Sequence, residues 1–427
     1  MSGEEAPQAS ETGDNAIAMV TEATEELYRV RDTYFPRDPA EKTSRIRTLA
    51  DTALARLDSV PVEQRKSAQQ RAMLEFLKGK ILDVFPDYNK EAEDHLSKAV
   101  KLNPSLVDAW LCLGNCIWKK GDLVSAKNCF TLALSKGPNK KVLCQLSMLE
   151  RSMSQVNIIG QEDQATLVDE SIKHAKEAAM LDIKDGNSWY NLGNAYLTSF
   201  FVYGACEHTK LQNSLKAYQN AEKDELMNSN PDLSFNCATA HKYLENYERA
   251  LHRFEAAASQ DPSLGGDEEV RKIISVLDKL DSSVKKVRNK KLTSMALNLG
   301  EISLEPAYRG ATVDSLSEGI NTGVAVLAKV LLFIKHDNIA PLYCLLIDSN
   351  MCRFILSVFG LQFESVKEGD CVTLLAPNYR EVDVSWKGKH YQFKLIRVDF
   401  AKQILINGRR PSLRQIACTS MISQNKS

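Results

Sequence analysis

The stretch Asp108–Asn139, DAWLCLGNCIWKKGDLVSAKNCFTLALSKGPN, constrains the fold more than any other part of the chain. Trp110, Leu113, Gly114 and Ile117 recur at helical spacing, and after Gly121 the residues Ala126, Phe130 and Ala133 repeat the pattern until Pro138 stops it. Two helices joined by a glycine turn satisfy that spacing. The small residues Gly114, Ala126 and Ala133 allow the helices to approach closely, and Trp110 and Phe130 fill the space beside them. A hairpin this short cannot bury its apolar face alone, so the pattern requires neighbouring copies.

Those copies are present. Ala92, Leu96, Ala99 and Pro104 keep the second-helix spacing upstream, behind a poorly matching first helix near Leu74–Leu82. Leu143, Leu146 and Ser147 with Ser171, Ala175 and Ala178 make a third unit, stretched by a polar segment after Arg151. Trp189, Leu192, Gly193 and Tyr196 open a fourth, whose partner helix (Ser214, Tyr218, Ala221) is delayed by the insertion TSFFVYGACEHTKLQN. A fifth runs from Ala238 to Ala250, Phe254, Ala257 and Pro262. The spacing resembles the tetratricopeptide repeat (TPR), a unit of about 34 residues that stacks into a superhelix with a concave groove.

Function classes narrow with composition. The 427 residues are 44% hydrophobic and 26% charged with a net charge of -1, enough for two or three domains and uninformative about partners. The opening MSGEEAPQASETGDNA lacks a basic n-region and an apolar run, so residues 1–15 read as a disordered acidic tail. The longest apolar run, Gly323–Ile334, is too short to span a bilayer and contains Lys329, so no membrane association is expected and the chain reads as soluble and intracellular. Ten scattered cysteines without a CxxC pair suggest neither a disulfide framework nor a zinc site. Phosphate-binding glycine loops, GxSxG and HExxH are absent, and the seven histidines share no spacing with acids or cysteines. A non-enzymatic chain without cofactor or metal follows.

Outside the repeats (residues 61–265), residues 16–60 carry two amphipathic periods that would cap the array. A further helix at Asp267–Val284 leads into VKKVRNKK, so residues 266–300 combine a cap with a basic segment. Lys285, Lys286, Arg288, Lys290 and Lys291 fit a solvated helix end as well as a ribosome, nucleic-acid or nuclear-import contact. After a linker at 301–320, short β-rich runs occupy 321–412, with a helix expected at Leu361–Glu368 and a tail at 413–427. Three strands, a helix and two strands is the order of an OB-fold barrel, giving a mainly α chain with a C-terminal β domain. Tyr343, Phe354, Tyr391 and Phe393 alternate with basic residues; such aromatics stack on single-stranded nucleic acid in some OB-folds and fill cores in others.

Binding must therefore be sought on the groove stripe, the second, fifth, ninth and twelfth positions of each first helix. It reads Asp108, Leu111, Asn115, Trp118; then, near the matching places, Val142, Cys144, Met148, Arg151; then Asn187, Tyr190, Asn194, Leu197; then Asp232, Phe235, Thr239, Lys242. Amides can hold a peptide backbone, aromatics can clasp apolar side chains, and Arg151 with Asp232 offers both signs of charge. The lysines of the carboxylate clamp found in chaperone-binding TPR proteins are missing from the fifth and ninth positions.

The segments SKAVKLNP, WKKGD, DGNSWYNLGNAYL, SNPDL and HKYLENY, in a chain joining irregular TPR units to an OB-fold, resemble the tetratricopeptide repeat protein 5 (Strap) family over about Glu25–Arg410. That resemblance implies an adaptor that recognises the N-terminal peptide of nascent tubulins at the ribosome and, through an mRNA-decay adaptor, promotes selective decay of tubulin messages. It equally implies a stress-responsive nuclear role with transcription coactivators and DNA, so both cytoplasm and nucleus are expected locations. A tubulin N-terminus begins Met-Arg-Glu, which would use Asp232 for the arginine and Arg151 for the glutamate.

Overall fold

The computed structural model describes residues 11–155, 161–286, 306–338, 340–362 and 364–416. The expected acidic tail lies almost entirely outside them. Fourteen helices precede nine strands in the described part: α1 (Glu11–Thr33), α2 (Pro39–Asp58), α3 (Ala68–Leu82), α4 (Lys90–Leu102), α5 (Val107–Lys119), α6 (Leu123–Leu134), α7 (Lys140–Ser154), α8 (Gln161–Leu181), α9 (Gly186–Val202), α10 (His208–Ala221), α11 (Glu225–Asn228), α12 (Pro231–Tyr243), α13 (Tyr247–Gln260) and α14 (Gly266–Lys286). The chain divides into two compact units. One comprises Met1–Val156, Leu167–Ala195 and Asn220–Asn230; the other comprises Asn157–Thr166, Tyr196–Gln219 and Pro231–Ser427.

In the first unit several helices start where a short polar side chain replaces a missing helical partner for backbone N–H groups. Asn89 caps α4, Asp122 caps α6 and Asn139 caps α7, while Ser67 and Gln70 form a reciprocal capping box on α3. The glycines sit at the tightest crossings. A Cβ on Gly79 would lie 2.6 Å from Leu96, and one on Gly114 would lie 2.4 Å from Phe130, closer than any real Cβ contact. Helices α1 and α2 join the same continuous core as α3, α4 and α5 through Leu27, Ala53 and Leu57, so they extend the hairpin stack. The insertion before Ser214 lengthens α9 to 17 residues and adds a turn at which Ala205 has φ 56°.

In the second unit the strands are β1 (Arg309–Ala311), β2 (Gly319–Ile320), β3 (Val324–Ile334), β4 (Leu342–Asp348), β5 (Arg353–Val358), β6 (Cys371–Leu375), β7 (Asn378–Trp386), β8 (Lys389–Val398) and β9 (Ile404–Ile406). Their order is β2-β7-β8-β5-β4-β3-β6-β9, with β1 parallel to β3 and β5 parallel to β8. β6 and β7 are two halves of one bent strand, interrupted at Ala376 with φ 46°. The first half pairs with β3 and the second with β8, so the path returns on itself as a small Greek-key barrel should.

Two expectations need correction here. Leu361–Glu368 forms no helix among its described residues; Leu361 instead bridges Ile416, and the segment crosses as a loop. The supposed linker is part of the sheet from Arg309 onward, because β1 pairs with Val324–Val326 and β2 with β7.

Candidate peptide-binding site

The stripe residues of the first unit lie on α5, α7 and α9, the first helices of their hairpins. Asn115, Trp118, Arg151, Tyr190 and Asn194 are half-buried, and Met148 is 40% exposed. The stripe is not open throughout, since Val142 and Cys144 are buried.

Arg151 is the most strongly organised of these side chains. Its Nη1 donates to Asn191 Oδ1 at 2.9 Å, to the Asn191 carbonyl at 3.2 Å and to Ser147 Oγ at 3.1 Å. Ser147 is itself fixed by Ser171, whose hydroxyl donates to the Ser147 carbonyl at 2.9 Å. The adjacent Glu150 points the other way. Its carboxylate is fully buried, 3.1 Å from Lys127 Nζ and 2.8 Å from His174 Nδ1. The hydrogen bond to Glu150 outweighs burial and raises the His174 pKa. Consecutive residues of α7 thus carry a buried carboxylate paired with Lys127 and His174 and a half-buried arginine whose Nη1 donates to uncharged acceptors. Asn191 was not singled out by the sequence, because the sixth position of the repeat lies off the groove stripe.

The second unit holds the remaining candidates. Asp232 is half-buried on α12. Phe235 packs edge-to-face on Phe254, with ring centroids 5.0 Å apart, and belongs largely to the core. Lys242 is committed to Glu269 at 2.8 Å with only 11% of its side chain exposed, so it leaves the candidate set.

Comparison with known proteins decides the family. The chain is 37% identical to the tetratricopeptide repeat protein 5 of Bos taurus over 94% of its own length and 96% of that protein. For Mus musculus the identity is again 37%, covering 93% and 94%, and for Homo sapiens it is 36%, covering 92% and 93%. Residues 307–420 match the family model described as tetratricopeptide repeat protein 5 OB fold domain. The chain belongs to the tetratricopeptide repeat protein 5 family. Similarity to solved structures is partial: a TPR protein with an unusual peptide-binding site, YrrB, matches at 18% identity and TM-score 0.35 over 51% of this chain and 97% of that one. Family membership and the helical-hairpin array support a protein-interaction adaptor.

Within this family's OB-type domain, the aromatics considered for nucleic-acid stacking are not available. Tyr343, Phe354, Tyr391 and Phe393 are 3%, 0%, 2% and 4% exposed. Phe354 faces the barrel interior, and the other three pack with Phe254, Leu277 and Leu280 of α13 and α14. The face of β4 and β5 that other OB-folds turn toward oligonucleotides is therefore covered by helices. The β7–β8 turn is tied down as well, by Lys387 to Glu255 at 2.5 Å and Lys389 to Asp278 at 2.9 Å.

A charged cluster braces the α12–α13 turn against the sheet. Glu245, fully buried at φ 57°, accepts hydrogen bonds from Tyr343 at 2.9 Å, Ser357 at 3.1 Å and Arg397 at 3.2 Å. The guanidinium of Arg380 lies 3.4 Å from the same carboxylate and donates to the Glu245 carbonyl at 2.8 Å. Burial and the Glu245 carboxylate together push the Tyr343 pKa well up.

Of the basic run, Lys285 is exposed at the end of α14 and pairs with Asp281 at 2.7 Å. The Lys286 side chain and Arg288, Lys290 and Lys291 lie outside the described residues. Among the described residues no cluster of His, Cys, Asp or Glu could hold a metal ion, and no helix is long and apolar enough to cross a membrane.

Proposed function

We propose that the α7–α9 stripe of the first unit receives an extended peptide carrying an acidic side chain, and that the peptide is the N-terminus of nascent tubulin. One observation carries the reading: Arg151 is held in a fixed direction by three hydrogen bonds to uncharged acceptors while remaining half-buried. A preorganised cation gains affinity for a carboxylate because little conformational freedom is lost on binding. The tubulin identity and the outcome, selective decay of tubulin mRNA through a decay adaptor, rest on the family resemblance.

A photoreactive amino acid at Asn194 should crosslink to tubulin nascent chains on stalled ribosomes and not to chains whose second to fourth residues are scrambled. Equal labelling of both chains would overturn the assignment. Ribosome contact is assigned to the basic run, so changing Lys285, Lys286 and Lys290 to Glu should weaken ribosome association and flatten its salt dependence. An unchanged salt slope would return that run to a solvated helix end. The alternative, a nuclear coactivator scaffold binding DNA through the OB-type domain, loses its stacking aromatics to the core, and no other observation favours it.

A further inference from the structure

At the end of β9 the chain turns back through Asn407 and Gly408, both at positive φ (49° and 75°), and Ile406 and Arg409 exchange backbone hydrogen bonds at 2.8 and 3.0 Å. The chain that leaves this turn reads Arg409-Arg410-Pro411-Ser412-Leu413. Arg409, Arg410 and Ser412 are exposed, and residues 410–412 belong to no helix or strand. Ser412 thus offers its hydroxyl on an irregular segment, with cations three and two residues before it. An enzyme that selects a serine by this pattern does so by bringing acidic groups to the two guanidiniums. Arg45 and Arg47 precede Thr48 with a similar spacing, but Thr48 lies inside α2, where its hydroxyl donates to the Ser44 carbonyl at 3.1 Å. That helix would have to unwind to present it.

Ser412 also lines a cleft of about 660 Å³ between the β5–β6 connection and the chain after β9. The charged groups on its walls are Lys367, Arg409 and Arg410 against Glu364 and Asp370. Asp370 is already engaged, since its carboxylate accepts from the Lys367 N–H at 2.8 Å and from Asn407 Nδ2 at 2.9 Å. No ion pair among the described residues engages the side chain of Lys367 or Arg409. A phosphate on Ser412 would bring about two negative charges to walls where three cations meet two carboxylates. We propose that Ser412 is a phosphorylation site for a basophilic protein kinase, and that Lys367 and Arg409 hold the phosphate and so tie the two walls of the cleft together. The transfer forms the bond between Ser412 Oγ and the γ-phosphorus of ATP, breaks the bond from that phosphorus to the bridging oxygen and releases ADP. The hydroxyl proton passes to a carboxylate of the kinase. The hydrogen bond from Ser412 Oγ to Gln415 Oε1, 2.9 Å long, is lost, and the Ser412 N–H retains the same acceptor at 2.9 Å. Charge-assisted bonds to the phosphate more than replace it.

The test incubates the full chain with ATP and the catalytic subunit of cyclic-AMP-dependent protein kinase, which reads arginines before a serine. Fragmentation mass spectrometry should place one phosphate on Ser412. Incorporation should fall about tenfold or more in Ser412→Ala and, with the serine retained, in the double variant Arg409→Gln, Arg410→Gln. Equal incorporation into the native chain and either variant overturns the site, and so does a native chain that takes up no phosphate. Phosphorus NMR then reads whether the cleft holds the group, through its second ionisation, ordinarily near pH 6. Nearby cations favour the dianion, so the phosphorylated chain should titrate about half a pH unit or more below a phosphorylated peptide spanning Asn407–Gln415. Because the peptide carries both arginines, that difference reports the folded cleft. Lys367→Gln, an exchange at an exposed position, should remove most of it. Coincident titrations of chain and peptide, or a Lys367→Gln titration equal to the native one, overturn the role of the cleft.

Discussion

Arg151 in the first unit and Glu245 in the second are both charged residues fixed by several hydrogen bonds, and they differ in what surrounds the charge. Glu245 is completely buried and meets two arginines, so its charge is compensated inside the fold. Arg151 is half-buried, and the three acceptors of its Nη1 are uncharged. A charge sealed from water must be neutralised by the protein, because an uncompensated one costs several kcal/mol. A charge left at the surface on neutral supports can be neutralised by a ligand. In the proposed reading this contrast is the difference between a brace and a binding group.

Glu245→Ala gives the largest expected effect. It breaks the buried pairs with Arg397 and Arg380, although Arg397 keeps Asp399 at 2.7 Å, and should lower stability by about 3 kcal/mol in denaturant titrations. Stability equal to the native protein would remove the distinction between the two clusters. Gly114→Ala comes next. The new methyl group meets the Phe130 ring at 2.4 Å, so overpacking of about 1–3 kcal/mol is expected, and an unaltered melt would contradict the tight crossing that keeps the first-unit hairpins in register.

The smallest effects are the pH responses of two histidines, which should have opposite signs. His241 of the second unit is driven by burial down to about 4 from an ordinary 6.5. Its folded form binds fewer protons than the unfolded chain between those values, so stability falls as pH drops through that window. His174 of the first unit is raised by Glu150. Its contribution is present below pH 6.5 and lost as pH rises through the folded value. Comparing melting curves of the native protein with His241→Gln and His174→Gln between pH 4.5 and 8.5 reads both; a shared sign would show that one of the two environments is misassigned.

The repeats were legible because their cause is local and periodic. The close Gly114–Phe130 crossing, the buried Ala126 and Ala133 and the end of α13 before Pro262 follow from spacings within a hairpin. The β domain was legible only where apolar runs are long. β7 leaves no continuous apolar run, because NYREVDVSW buries alternate residues and exposes Glu381, Asp383 and Ser385 between them, and β1 and β2 are too short to show a period. The helix expected at Leu361–Glu368 helped to suggest the OB order, whereas the chain closes that end with Ser365 tied to Gln415. The stripe brought Arg151 forward, but not the residue that seats it. Asn191 acts on a side chain 40 residues away, and Glu245 meets Arg397 at a separation of 152; neither pairing leaves a local trace.

The central claim is that Arg151 is a ligand-binding charge rather than a structural one. Calorimetry of a Met-Arg-Glu tubulin peptide against the native protein and Arg151→Ala, with thermal melting of both, tests it directly. The account predicts measurable binding to the native protein, affinity reduced about thirtyfold or more in Arg151→Ala, and nearly coincident melting curves. Equal affinity in the two proteins, or a large loss of stability in Arg151→Ala, would contradict it.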